Sequence, residues 1–247
     1  IEKVNPIAVP FGSLIIHTTF YKIFGFYGLI LVDFFGIFLF LLIFFKIFSF
    51  FNNNQNALFY ALLLFGIPLL INYFFANYNE IPFIQFKNFF TLRVHRPFPS
   101  NLYFFSFILL TIYMCQTNFF EKKYFFLTGL LMGLSLSSFY YYFVTEFLIF
   151  FFCIIFLFKK KTINILLKNY VSVIILIITF CLISSPFIMN MLIAEKDLLI
   201  TGGVFELTSE KRFILLKYYF AKFFDLKLLS LNFIIFLTIY LVNKYKV

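Results

Sequence analysis

Phe90-Thr91-Leu92-Arg93-Val94-His95-Arg96-Pro97-Phe98-Pro99-Ser100 holds two of the three arginines in a chain where lysine outnumbers arginine 17 to 3. Arginine's planar fork suits bidentate contact with a phosphate or carboxylate. Arg93 and Arg96 are therefore candidates to hold a phosphate or pyrophosphate headgroup. The same pair also fits an ordinary basic loop at lipid headgroups, or a pairing with Glu80. His95, between them, reads as a structural or headgroup-facing ring, with a place beside the phosphate as the alternative.

Two carboxylates form the second set. Asp33 and Glu146 lie inside apolar runs. Carboxylates within a membrane are costly and usually face a bundle interior or a water-filled cavity. Asp33 fits a catalytic or coupling role, and equally a packing partner to a neighbouring cation. Glu146 fits the same roles, or an interfacial place near a helix N-terminus where the macrodipole favours it. Cys115, Cys153 and Cys181 sit in apolar runs with no metal spacing and no evident pairing. They read as small lipid- or core-facing side chains. His17 and His95 are too far apart in sequence to suggest a metal motif, and no P-loop, dinucleotide fingerprint or nucleophile elbow is present.

These residues must be positioned by apolar helices. Of 247 residues, 63% are hydrophobic and 12% charged, and the mean hydropathy is +1.00. An ordinary soluble domain carries roughly 25% charged residues, and a disordered chain lacks apolar ones. The alternation of a membrane β-barrel is not visible. The expected fold is all-α, a polytopic transmembrane bundle with interfacial helices, forming a single transmembrane domain over 1–247. The 46 phenylalanines accompany other residues with AT-rich codons, so the Phe runs reflect codon bias rather than a binding surface. The net charge of +10 points to basic cytoplasmic loops and anionic headgroups, not nucleic acid.

A helical span needs about 20 apolar residues. Seven are expected, near 26–45, 57–76, 102–115, 124–139, 143–158, 170–189 and 228–242. As one helix, 124–158 would be roughly 52 Å long, too long for one crossing. It is split at Ser135, Ser137 and Ser138, before Tyr140-Tyr141-Tyr142, as a tight helix hairpin with tyrosines at the interface. Residues 7–20 read as an amphipathic or half-inserted segment, and 209–227 as an interfacial helix after the Gly202-Gly203 joint. Lys46, Lys122, Lys123, Lys159, Lys160, Lys161, Lys168, Lys244 and Lys246 then share one side, which should be cytoplasmic. The 76–102 loop, with Arg93 and Arg96, faces outward. The chain begins at Ile1 without a leader-like start, so we expect a fragment of a larger membrane protein.

The order of parts resembles the GT-C superfamily of membrane glycosyltransferases, which use lipid-phosphate-linked sugars. Asn5-Pro6-Ile7-Ala8-Val9-Pro10-Phe11-Gly12, with the run to Phe24-Gly25, looks like the family's Pro-containing stretch leading into an amphipathic helix and a span. The Arg93 to Tyr103 segment is similar to the family's Arg-x-x-x-Pro element. Gly129-Leu130-Leu131-Met132-Gly133 and Tyr140-Tyr141-Tyr142 are similar to its Gly-x-x-x-Gly and aromatic cluster. The resemblance covers roughly 5–160. It implies a polyprenyl-phosphate-linked sugar donor, membrane-lipid partners and an extracytoplasmic site, for which a bacterial inner (plasma) membrane is expected. The superfamily usually carries its acidic catalytic residues in the first outer loop, from which only Glu2 is present here. The base is therefore assigned to no residue, and the candidates are Glu2, Asp33 and Glu146, with Arg93, His95 and Arg96 binding the donor. No cofactor is identified; a divalent metal sharing the phosphate charge is possible, though no ligand cluster is evident. The Gly129/Gly133 pair also fits plain close helix packing.

The expected function is glycosyl transfer on the outer face. The alternatives are a secondary transporter or flippase with coupling carboxylates, and a structural subunit with no site of its own. Polar groups gathered at one face favour the transferase, and midplane polar groups favour transport.

Overall fold

The computed structural model describes residues 11–74, 98–117, 119–158, 166–193, 229–230 and 232–237. Its named helices are α1 (Phe11–Phe24), α2 (Phe26–Ser49), α3 (Asn54–Phe74), α4 (Phe98–Gln116), α5 (Lys122–Leu136), α6 (Tyr140–Phe158) and α7 (Tyr170–Ile193). Residues 229–230 and 232–237 are also helical, and no strand occurs among the described residues.

The expected apolar segments from 26–45 to 170–189 coincide with α2 to α7. Length and apolar character together mark Phe26–Ser49 and Tyr170–Met189 as able to cross a membrane, and Tyr142–Phe156 is a shorter apolar helix. Six of the seven expected segments are thus helices, and among the described residues two helices are of spanning length. The 15 residues of α5 reach only about 22 Å at 1.5 Å per residue, below the roughly 30 Å hydrocarbon core. Most of the expected 228–242 segment, all of 1–10 and the 195–227 loop lie outside the described residues. Large apolar side chains cover the outside of α2 and α7: Phe26, Tyr27, Phe34 and Leu182 are each more than 60% exposed. Water-soluble surfaces avoid such contiguous patches.

The helix boundaries have local causes. Between α1 and α2 the chain turns at Gly25, whose φ of +60° only glycine adopts without strain. Pro99 sits in the first turn of α4, where its missing N–H costs nothing, so that helix starts at Phe98 rather than at 102. The break expected near Ser135–Tyr142 occurs at 137–139. The Ser137 and Ser138 hydroxyls donate to Leu134 O, at 3.0 and 2.7 Å. They give the last carbonyls of α5 a partner other than the next helical turn. Within α7, Pro186 has no N–H for Leu182 O four residues back. The Ser185 hydroxyl donates to that carbonyl instead, at 3.1 Å, so the helix continues through the proline.

Helix α5 is central and touches α1, α4, α6 and α7. Its contact with α7 is backbone against backbone. A Cβ on Gly129 would lie 2.6 Å from Leu176 O, and one on Gly133 would lie 2.8 Å from Ile183 Cβ. Close packing is therefore what the Gly-x-x-x-Gly spacing does here. The largest apolar cluster joins α4, α5 and α6 through Phe107, Met114, Phe125, Ile149 and Phe150, with Phe119 stacked on Phe150 at 5.7 Å. A second cluster of Val32, Phe40, Phe44 and Ala61 holds α2 on α3, and Phe44 meets Phe105 of α4 at 4.7 Å.

Candidate functional site

The two ends of the bundle differ chemically. At one end, Lys122 and Lys123 open α5 and Lys168 precedes α7, all exposed. The Ser172 hydroxyl donates to Phe120 O at 2.8 Å and ties these segments together. Phe50 and Phe51, which follow Lys46, pack on the cluster that includes Met114 and Phe119. Lys123 pairs with Glu121 at 2.8 Å. That hydrogen bond raises the Lys123 pKa, but a solvent-exposed pair of this kind contributes little stability.

Among the described residues, the opposite end collects uncharged polar groups and one carboxylate. The start of α1, the start of α4, the α5–α6 turn and the first two turns of α6 meet there. Ser100, Asn101, Tyr103, Ser135, Ser137, Ser138, Thr145 and Glu146 are all buried. Tyr142 bonds Asn101 through its hydroxyl and stacks on Phe104 at 4.9 Å. Tyr103 donates to Gly12 O at 2.8 Å, and the Gly12 N–H donates to Ser137 O at 3.2 Å. These bonds connect α1, α4 and the α5–α6 turn across positions far apart in sequence.

Glu146 is the carboxylate in this set. It is fully buried, and the Ser135 hydroxyl donates to its Oε1 at 2.6 Å. Its Oε2 has no hydrogen-bond partner among the described residues. Buried polar atoms are nearly always paired, and an exception calls for an explanation such as a catalytic role or a bound ligand. Glu146 lies two turns into α6, near its N-terminus, and its side chain is buried between helices.

Of the other candidates, Asp33 lies in the first third of α2. Glu2, Arg93, His95 and Arg96 lie outside the described residues, so only Glu146 is seen with its surroundings. Sequence reasoning passed over Ser100, Asn101 and Tyr103; the polar pair beside Pro99 was the available signal. It also passed over the approach of Cys115 of α4 to Cys153 of α6, both free thiols. Among the described residues no group of three or more His, Cys, Asp or Glu could hold a metal ion. No protein family, curated protein or solved structure matches the chain.

Proposed function

We propose that the chain is part of an integral-membrane glycosyltransferase resembling the GT-C superfamily, a polytopic bundle of about seven spans in a bacterial inner (plasma) membrane. The observation that carries this reading is the gathering of buried polar groups around Glu146 at one end, opposite the exposed lysines. The lysine end is cytoplasmic by the excess of basic residues in short loops. The Glu146 end then faces outward, where a polyprenyl-phosphate-linked sugar would be used.

In this reading the hydroxyl oxygen of an acceptor attacks the anomeric carbon. Its proton passes to Glu146 Oε2, the oxygen left free by Ser135. The bond from the anomeric carbon to the phosphate oxygen breaks, and its electron pair leaves with the polyprenyl phosphate. Arg93 and Arg96 hold that phosphate and stabilise its charge, with His95 beside them.

The test is sugar transfer by the full-length protein in lipid nanodiscs. Arg93→Ala and Arg96→Ala should each lower kcat/KM for the donor about tenfold to a hundredfold, the loss expected of one charge-assisted contact. Lys122→Ala, at the other end, should change it less than about twofold. Equal effects from all three would remove the phosphate clamp. Accumulation of a solute without any transfer product would place the chain among secondary transporters, a class the same unpaired buried carboxylate also suits.

A further inference from the structure

We propose that α1 is a lid over the Glu146 site, clasped at Gly12 and hinged at Gly25. The inference rests on Glu146 being the reactive carboxylate, because a fully buried carboxylate must be uncovered before an acceptor reaches it. The clasp closes on the turn that carries Ser135, the hydrogen-bond donor of Glu146. Gly12 gives its N–H to Ser137 O at 3.2 Å and takes the Tyr103 hydroxyl on its carbonyl at 2.8 Å. Any side chain at this position is excluded. A Cβ would lie 2.7 Å from Leu134 O and 2.5 Å from Ser138 Oγ, with Ser137 Oγ also in the way. Only glycine lets α1 close this far onto the α5–α6 turn.

The other end of α1 has the opposite character. Gly25 adopts φ +60°, and nothing lies within 4 Å of where its Cβ would be. It is a joint with open space around it. Beside it, Gly28 lets the last turn of α1 rest directly on α2, because a Cβ there would strike Phe20 O. Ile16 and Phe20 of α1 also pack against the Val32 and Phe40 cluster, with Phe20 and Phe35 rings 6.4 Å apart, so opening must part these contacts from the Gly12 end. Between clasp and joint, Thr18 and Thr19 donate to Leu14 O and Ile15 O at 2.9 and 2.7 Å. Those bonds are internal to α1 and survive if it moves as a rigid body. One face, with Ile15, Tyr21, Ile23 and Phe24, is exposed and costs no packing when α1 moves, while the face with Ile16, His17 and Phe20 is the one that opening uncovers.

The test needs no donor sugar. The full-length protein in lipid nanodiscs is treated with a water-soluble carbodiimide and glycine ethyl ester, and modification at Glu146 is followed by peptide mass spectrometry. In the unaltered chain Glu146 should react far more slowly than Glu121, which stands at the lysine end. Tyr103→Phe removes one clasp hydrogen bond and should speed Glu146 modification roughly fivefold, the population change expected from one such bond. Gly12→Leu should speed it further, with Glu121 unchanged in both. Equal Glu146 rates in the unaltered chain and Tyr103→Phe would overturn the lid, as would a Glu146 that reacts as fast as Glu121 in the unaltered chain. Should Gly12→Leu fail to fold, Tyr103→Phe decides alone. Because the readout is access to a carboxylate, a failed lid and a failed transferase are told apart: the first shows here, the second only in the transfer assay.

Discussion

Glu146→Gln should lower the rate of sugar transfer at least about a hundredfold while leaving the helices assembled. A positioned general base typically contributes 10²–10⁴-fold, and glutamine cannot accept the acceptor's proton. The substitution is nearly isosteric. Its amide oxygen can still take the hydrogen bond that Ser135 donates at 2.6 Å, so the α5–α6 hairpin keeps its buried contact. Glu146→Ala separates the two roles in the other direction. It removes the base and also leaves the Ser135 hydroxyl without its acceptor, at a cost of about 1–3 kcal/mol for a buried polar group. Initial rates in nanodiscs, together with the midpoint of detergent unfolding, check both effects. A Gln variant within a few-fold of the parent rate would take Glu146 out of the chemistry and leave it a structural partner of Ser135.

The second large effect is on stability. Gly129→Ala should destabilise the bundle by about 2 kcal/mol, and Gly133→Val by more. Two terms oppose each other. In an open helix, alanine gains roughly 1 kcal/mol over glycine in propensity. Here the new Cβ would stand 2.6 Å from Leu176 O, a backbone atom that cannot rotate away. Helices α5 and α7 must then separate along their length. Overpacking of this kind costs typically 1–3 kcal/mol and sometimes more. The separation also loosens contacts made by Thr179 and Phe180 near the same two glycines. At Gly133 the nearest atom is Ile183 Cβ at 2.8 Å, again too close to the main chain to yield cheaply. The midpoint of helix loss on titration with sodium dodecyl sulfate measures the change. A Gly129→Ala midpoint equal to or above the parent would mean that the α5–α7 contact adapts, and that propensity wins.

Much of the helical layout was legible in the sequence because it depends on local runs. Apolar stretches bounded by polar residues located α2 to α7. Three serines before a tyrosine run located the break between α5 and α6. The Gly129/Gly133 spacing already allowed close packing, and α7 supplies the partner. Boundaries moved where a single residue altered the local rule: Pro99 opened α4 earlier than the apolar run suggested, and Gly25 extended α1 to Phe24. The count of spanning helices was less legible. Hydrophobic length alone does not fix the count, because α5 has only 15 residues and much of its surface is buried against other helices.

The candidate site was legible only in part. An acidic residue in an apolar run marked Glu146, and Ser135 is near enough in sequence to share a hairpin with it. Nothing local brings Gly12 to Tyr103, 91 positions apart, or Asn101 to Tyr142. Those contacts arise from how α1 and α4 pack on the α5–α6 turn. The Cys115–Cys153 contact is tertiary in the same way, and each cysteine alone looks like any small apolar residue.

Sidedness is the claim on which the account turns: the Glu146 end outward, the lysine end inward. In a chain freed of its three cysteines, single cysteines are placed at Phe139, in the α5–α6 turn, and at Asn53 and Thr117, in the connections near the lysine end. Intact cells are treated with a membrane-impermeant maleimide before and after permeabilisation. The account predicts that Phe139→Cys is labelled in intact cells, and that Asn53→Cys and Thr117→Cys are labelled only once the membrane is opened. Labelling of all three from the same side, or of Phe139→Cys only after permeabilisation, would contradict it.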